Sequence, residues 1–267
     1  MNTTSTRFDV RSADGTTIAV WVEGEGPALV LVHGSIQDHT ISAALVAELK
    51  PAITTYSMDR RGFGASGDGA NYAIERDFEN VAAVVDAVAA QTGATVAVWG
   101  HSYGANCAMG GAAMTDNADH LILYEPSLGL AYPPGWIDMV DRMLARGDDE
   151  GAIAVVLRDL LEFTDEQINI MRAGPEWAGR VRTAPTVVRE ARAEEGWVYR
   201  PHRFDGITAK TLMLSGSDSP LVVKAATDAA LAAIPDARVH VLAGHAHIAH
   251  RTHPAMVGAL VRDFIAS

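Results

Sequence analysis

The sequence predicts an α/β fold in which a mostly parallel sheet is flanked by helices. Short apolar runs rich in Val, Ile and Leu alternate with stretches that repeat apolar residues at helical spacing. The runs are continuously apolar, which is typical of strands buried on both faces. One segment, residues 129–205, interrupts the alternation because it contains no convincing strand.

Eight strands are predicted. Residues 8–22 form two of them, a hairpin around the turn signal Asp14-Gly15. The other six cover residues 28–32, 54–58, 95–99, 121–124, 211–214 and 238–242. Stretches with helical spacing precede the fourth and fifth strands, and repeated strand-helix-strand units predict parallel pairing.

The segment without strands is predicted to be a helical insertion. Amphipathic stretches cover residues 136–144, 152–163 and 165–171. We therefore expect a core domain made of residues 1–128 and 206–267, with a helical cap at 129–205. Large apolar side chains of the cap either line a ligand cavity or belong to its core: Trp136, Met139, Met143, Phe163, Met171, Trp177 and Trp197.

Composition excludes several classes of protein. Apolar residues make up 48% of 267, which is too many for a disordered chain. The net charge of −12, without a Lys/Arg cluster, disfavours nucleic acid and membrane surfaces as partners. The lone Cys107 cannot form an internal disulfide, and neither a signal peptide nor a membrane span is evident. We expect a cytoplasmic monomer or homodimer that acts on a small-molecule substrate.

The strongest motif is Gly100-His-Ser-Tyr-Gly104. It follows the strand at 95–99 and opens a helix of small residues at 105–114. Such a junction strains the backbone of the central residue, and the glycines on either side relieve the crowding. Ser102 is therefore a candidate nucleophile, against the alternative of a glycine-rich turn with an incidental serine.

A serine nucleophile needs a base and an acid, and the C-terminal part of the chain supplies both. Asp218 lies just beyond the strand at 211–214. Beyond the strand at 238–242 lie four histidines: His245, His247, His250 and His253. Serine, acid, histidine is the chain order typical of hydrolases built on such sheets.

Taken together, these motifs resemble the α/β-hydrolase superfamily over nearly the whole chain. The matching pieces are His33-Gly34, residues 59–66, residues 123–126, residues 216–218 and a histidine seven positions before Pro254, which selects His247. The resemblance implies an α/β-hydrolase fold with an eight-stranded sheet and a helical cap after the sixth strand.

The resemblance also implies roles for individual residues. Ser102 is the nucleophile, His247 the general base and then acid, and Asp218 the acid that orients the imidazole. The backbone N–H groups of Tyr103 and Ser35 form the oxyanion hole, and neither cofactor nor metal is required. Some members take their acid from the end of the sixth strand, so Glu125 is the rival of Asp218, which we prefer as the commoner arrangement.

The expected activity is hydrolysis of a carboxylic ester or lactone of a small to medium, mainly hydrophobic substrate through an acyl-enzyme. Hydrolysis of a carbon–carbon bond and cofactor-free chemistry use the same triad and remain alternatives. A ligand receptor with slow turnover is the alternative outside the enzymes. Serine rather than aspartate at position 102 argues against dehalogenase and epoxide hydrolase chemistry.

Two further motifs have other interpretations. His245, His247, His250 and His253 are close in sequence, but no H-E-x-x-H motif or neighbouring Glu supports a metal site. Residues 62–67 spell G-x-G-x-x-G, with Asp86 downstream. Three charged residues separate these glycines from the strand and no helix follows directly, so we expect a tight turn rather than a dinucleotide site.

Overall fold

The structure is a computed structural model, and it describes residues 5–200, 202–234 and 237–267. Its eight strands form one sheet, as predicted, with ends shifted by a few residues. They are β1 (Thr6–Arg11), β2 (Thr17–Glu23), β3 (Ala28–Val32), β4 (Thr54–Met58), β5 (Val96–His101), β6 (Ala118–Tyr124), β7 (Lys210–Gly216) and β8 (Arg238–Leu242).

The strand order is β1-β2-β4-β3-β5-β6-β7-β8. β2 runs antiparallel to both β1 and β4, and all other pairs are parallel. In the register of β5 and β6, His101 lies opposite Tyr124. The next residues, Ser102 and Glu125, therefore leave the sheet at the same edge from neighbouring strands.

Eleven α-helices lie within the described part of the chain. They are α1 (Ala43–Leu49), α2 (Ile74–Thr92), α3 (Tyr103–Ala112), α4 (Trp136–Ala145), α5 (Asp149–Asp159), α6 (Asp165–Ala173), α7 (Trp177–Arg182), α8 (Val187–Glu195), α9 (Leu221–Ala233), α10 (Ala249–Thr252) and α11 (Pro254–Ile265).

Helices cover both faces of the sheet. α2 buries Phe78, Val81 and Val85, which are three and four residues apart, in the same apolar cluster as Met109 of α3. On the opposite face, α1 and α11 bury their own apolar side chains against the sheet. The two clusters make a three-layer core, and the sheet edge where the parallel strands end is left for the site.

Helices α4 to α8 form the insertion between β6 and β7. They build a separate apolar cluster from residues such as Val140, Ile153 and Val188. Ile36, from the loop after β3, and Ala226, from α9, join this cluster and connect it to the rest of the molecule. The insertion therefore packs as a unit against loops that follow the strands.

None of the helices in residues 5–200, 202–234 and 237–267 combines the length and apolar character that crossing a bilayer requires.

Candidate active site

Ser102 sits in a sharp turn between β5 and α3. Its φ is 55° and its ψ is −127°, a conformation that non-glycine residues rarely adopt. A Cβ on Gly100 would lie 2.5 Å from the Cα of Ala105, and one on Gly104 would lie 2.3 Å from the carbonyl oxygen of His33. Both glycines are therefore needed for the turn to close, as the motif predicts.

His247 and Glu125 form a buried hydrogen-bonded pair. Nδ1 of His247 lies 2.6 Å from Oε2 of Glu125, and the two residues are 6% and 0% exposed. The backbone N–H of Gly216 donates to Oε1 of Glu125 over 2.7 Å. Burial raises the pKa of Glu125, but the hydrogen bond and charge of His247 and the other hydrogen bonds outweigh it, so the pKa lies below its ordinary value.

The ionised Glu125 determines the tautomer of His247. Because a carboxylate only accepts hydrogen bonds, Nδ1 of His247 carries the proton and Nε2 is left free to accept one.

Two hydrogen bonds anchor the loop that carries His247. Nε2 of His101 donates to the carbonyl oxygen of His247 over 2.7 Å, and the Tyr124 hydroxyl donates to the carbonyl oxygen of Ala246.

Asp218 is not the hydrogen-bond partner of His247, which corrects the preferred assignment of the sequence analysis. Its side chain is exposed and accepts a hydrogen bond from the hydroxyl of Ser217 over 2.8 Å. Asp218 lies two residues beyond β7, in a turn that faces solvent. Glu125 comes directly after β6 with a φ of 48°, which turns its carboxylate inward to His247.

Ser102 and His247 line the same cavity. No hydrogen bond joins their side chains among the described residues, and such contacts often tighten only when substrate is bound. The structure therefore brings the predicted nucleophile and base to the same cavity.

The two residues predicted to form the oxyanion hole lie close to Ser102 in different ways. Ser35 lines the same cavity. Tyr103 is the first residue of α3, so its backbone N–H has no acceptor within the helix.

The loop that carries Ser35 is held by Arg60, a residue for which the sequence suggested no role beyond a tight turn. Arg60 is fully buried, and its guanidinium donates to the carbonyl oxygens of His33 and Gly34 over 2.9 and 3.1 Å. Its backbone N–H donates to Nε2 of His33 over 3.0 Å. His33 thus supports the loop, and burial followed by the charge of Arg60 lowers its pKa to about 4.

Arg60 also connects this loop to the insertion. Its Nη2 lies 2.6 Å from Oε1 of Glu190 on α8, and both side chains are buried. Glu194, one helical turn further on, accepts hydrogen bonds from the hydroxyls of Ser127 and Tyr132. Burial raises the pKa of Glu194 to about 7 despite these hydrogen bonds.

Both glutamates line the cavity of Ser102. The sequence analysis missed them because the polar composition of α8 is typical of an exposed helix.

The remaining wall of the cavity is largely apolar. Of the large cap residues considered from the sequence, Trp136, Phe163 and Met171 line it, together with Leu157 and Leu160. Trp197 instead packs against the main core, where its ring centroid lies 6.1 Å from that of Phe78 on α2. Some of the large apolar residues considered from the sequence therefore line the cavity, whereas others do not.

The histidines near the C-terminus do not converge on a common point. The ring of His250 packs against that of His101 at a tilt of 49°, with centroids 4.2 Å apart, and His245 packs against His253. Within residues 5–200, 202–234 and 237–267, no group of three or more His, Cys, Asp or Glu residues is placed to hold a metal ion.

Residues 62–67 form a turn rather than the start of a helix. Gly62 and Gly64 have φ angles of 79° and 51°, and a Cβ on Gly64 would lie 2.2 Å from Oδ2 of Asp59. The next helix, α2, begins only at Ile74. The prediction of a tight turn is confirmed, and no helix of the described residues begins at these glycines, as binding of a pyrophosphate would require.

Comparison with known proteins agrees with this architecture. Residues 29–260 match the model of the alpha/beta hydrolase family. The pimeloyl-[acyl-carrier protein] methyl ester esterase of Xanthomonas oryzae pv. oryzae (strain MAFF 311018) is 26% identical over 258 residues, which are 92% of this chain and 98% of that protein.

Two solved structures have the same fold. An alpha/beta hydrolase from Sphaerobacter thermophilus is 30% identical, with a TM-score of 0.81 over 97% of this chain and 100% of that chain. The enol-lactonase from Burkholderia xenovorans is 20% identical, with a TM-score of 0.77 over 97% and 100% of the two chains. The match to the family model over most of the sequence, together with this fold, shows that the chain belongs to the alpha/beta hydrolase family.

Proposed function

We propose that the protein is a serine hydrolase that cleaves a carboxylic ester or lactone, with Ser102, His247 and Glu125 as its triad. One observation carries the proposal: Ser102 stands on a strained turn in the same cavity as His247, whose Nδ1 is held by the buried Glu125. This is the arrangement in which an imidazole can remove the proton of a serine hydroxyl.

In the proposed reaction, Nε2 of His247 takes the proton of Ser102 while Oγ attacks the carbonyl carbon of the substrate. The tetrahedral oxyanion accepts hydrogen bonds from the backbone N–H groups of Tyr103 and Ser35. His247 then gives its proton to the departing alkoxide, and an acyl-enzyme remains on Ser102. Water repeats the sequence, releases the acid and restores the serine.

Glu125 holds the imidazole in the reactive tautomer and stabilises the imidazolium that forms at each step. Its carboxylate is suited to this because His247 and Gly216 keep it ionised in a buried place.

The cavity supports an ester or lactone with a mainly apolar body. Trp136, Leu157 and Phe163 give it a hydrophobic wall beside Ser102. The Xanthomonas relative is named as a methyl ester esterase and the Burkholderia structure as an enol-lactonase, and these names agree with this substrate class.

The proposal is tested by labelling and turnover. A fluorophosphonate probe should label the wild type at one site per chain, and Ser102→Ala should abolish both labelling and the hydrolysis of p-nitrophenyl esters and simple lactones. Ser217→Ala, which removes an exposed serine outside the cavity, is the matched control and should retain both. A wild type that binds these compounds tightly but releases about one product per chain would instead indicate a receptor.

A further inference from the structure

Arg180 is a buried cation in the wall of the proposed active site. It lies on α7, is 8% exposed and lines the cavity that contains Ser102 and His247. Within the described residues, its side chain makes one hydrogen bond, from Nη1 to the carbonyl oxygen of Ile36 over a long 3.4 Å. No carboxylate of the described residues lies within 4.0 Å of its guanidinium.

The other ionisable groups of the cavity all have partners. Glu190 pairs with Arg60, His247 with Glu125, and Arg251 with Glu176 over 2.9 Å. Glu194 accepts hydrogen bonds from neutral hydroxyls. Arg180 is therefore the cationic cavity residue that lacks a carboxylate partner in the described part of the chain, and its positive charge is left for a bound anion to neutralise.

Burial and the charge of Arg251 lower the pKa of Arg180 to about 10, although Glu176 and Asp38 act in the opposite direction. The side chain stays protonated at neutral pH. A buried guanidinium retains its charge at a cost in free energy, which an anion bound beside it would offset. Its planar N–H groups match the two oxygens of a carboxylate.

We propose that Arg180 binds a carboxylate on the substrate, so that the preferred ester or lactone carries an ionised acid group at the end of an apolar chain. This inference rests on the proposed hydrolase function and specifies its substrate class. A carboxylate fits better than a phosphate dianion because Arg180 supplies a single positive charge. The apolar wall, which includes Leu157 and Phe163, suits the chain between the two functional groups.

The alternative role of Arg180 is to support the loop after β3 through the carbonyl oxygen of Ile36. A residue that only supports the loop would affect all substrates alike, whereas a carboxylate site would affect only substrates that carry the acid. The two roles therefore separate in a comparison of matched substrates.

The test uses monomethyl hexanedioate and methyl hexanoate, which differ only in the terminal carboxylate. For the wild type we expect kcat/KM to favour the monoacid by about ten- to a hundredfold, mainly through KM, as for a charge-assisted hydrogen bond. Arg180→Gln should remove this preference. Arg182→Gln, at an exposed arginine of the same helix, is the control and should keep it. Equal losses for both substrates in Arg180→Gln, or no preference in the wild type, would overturn the inference.

A second measurement needs no variant. Hexanoate should inhibit hydrolysis of p-nitrophenyl butyrate by the wild type at about a tenth of the concentration that hexanamide requires. Equal inhibition by the two would overturn the carboxylate site while leaving the hydrolase intact. If the wild type hydrolyses no ester or lactone, the proposed function fails, and a shift in melting temperature with hexanoate but not hexanamide still reports on Arg180.

Discussion

Glu125 Oε2 and His247 Nδ1 lie 2.6 Å apart although 122 positions separate the two residues in the chain. Glu125 leaves the sheet at the end of β6, beside Ser102 at the end of β5. The proposed triad thus combines two residues from adjacent strand ends with one residue from the loop after β8. The position of the acid can be tested directly.

Glu125→Gln should lower kcat for ester hydrolysis by about 10³-fold or more, because the amide does not hold the reactive tautomer of His247 or stabilise its cationic form. Asp218→Asn is the matched control, since Asp218 is exposed and bonded to Ser217 rather than to His247. We expect it to change kcat by less than about twofold. Steady-state kinetics with p-nitrophenyl butyrate would decide, and the reverse order of effects would restore Asp218 as the acid.

Glu190→Gln should reduce both stability and activity. It removes the carboxylate that pairs with the buried Arg60, at an expected loss of about 2–4 kcal/mol in the free energy of unfolding. The same guanidinium donates to Gly34 in the proposed oxyanion loop, so kcat should fall while KM changes little. Urea unfolding and kinetics measure the two effects. Glu195→Gln, at an exposed glutamate of α8, should leave both near wild type.

Glu194 should make the folded protein less stable as pH rises. Burial raises its pKa to about 7 in the folded state, against an ordinary value of 4.5 that applies when the chain is unfolded. Between these values the folded protein holds a proton that the unfolded chain has released. This stabilisation amounts to about 3 kcal/mol. It is fully present below pH 4.5 and is lost progressively as the pH rises to about 7.

Urea unfolding at pH 5 and pH 8 measures this loss. Because Gln does not titrate, Glu194→Gln should show a smaller decline between the two pH values than the wild type. Glu195→Gln should decline as the wild type does. An equal decline in Glu194→Gln and wild type would show that Glu194 does not contribute.

Gly104→Ala should destabilise the fold by about 2–4 kcal/mol, because the added Cβ would meet the carbonyl oxygens of His33 and Val32 at 2.3 and 2.4 Å. Gly179→Ala is the same substitution in helix α7, where the nearest atom is the end of the Arg182 side chain at 3.5 Å. We expect it to be neutral or to stabilise by up to about 1 kcal/mol. Thermal melting would show the difference, and similar melting temperatures for both variants would contradict the crowding argument.

Features that depend on neighbouring residues were predictable from the amino-acid order. Apolar runs such as residues 28–32 identified the buried strands, and the spacing of Gly100, Ser102 and Gly104 identified the strained turn. These patterns are readable because strand periodicity and the crowding of a tight turn act over a few residues.

Neighbouring residues in the sequence could not decide whether Glu125 or Asp218 lies beside His247. Both residues follow neighbouring parallel strands, and both therefore lie near the same edge of the sheet. Which carboxylate meets His247 depends on how the backbone turns after β6 and β7 and on where the loop after β8 is anchored. Contacts between distant segments set these positions, so they cannot be predicted from a local sequence pattern.

The burial of charged side chains in and beside the cavity also depends on contacts between distant segments. Arg60, Arg180, Glu190 and Glu194 lie in stretches whose composition is that of an exposed turn or helix face. Whether such a side chain is solvated or enclosed depends on the surface packed against it, and here the helical insertion folds over the sheet edge. The amino-acid order thus specified the strands and the strained turn at Ser102, whereas long-range packing placed Glu125 beside His247 and enclosed the charged side chains near the cavity.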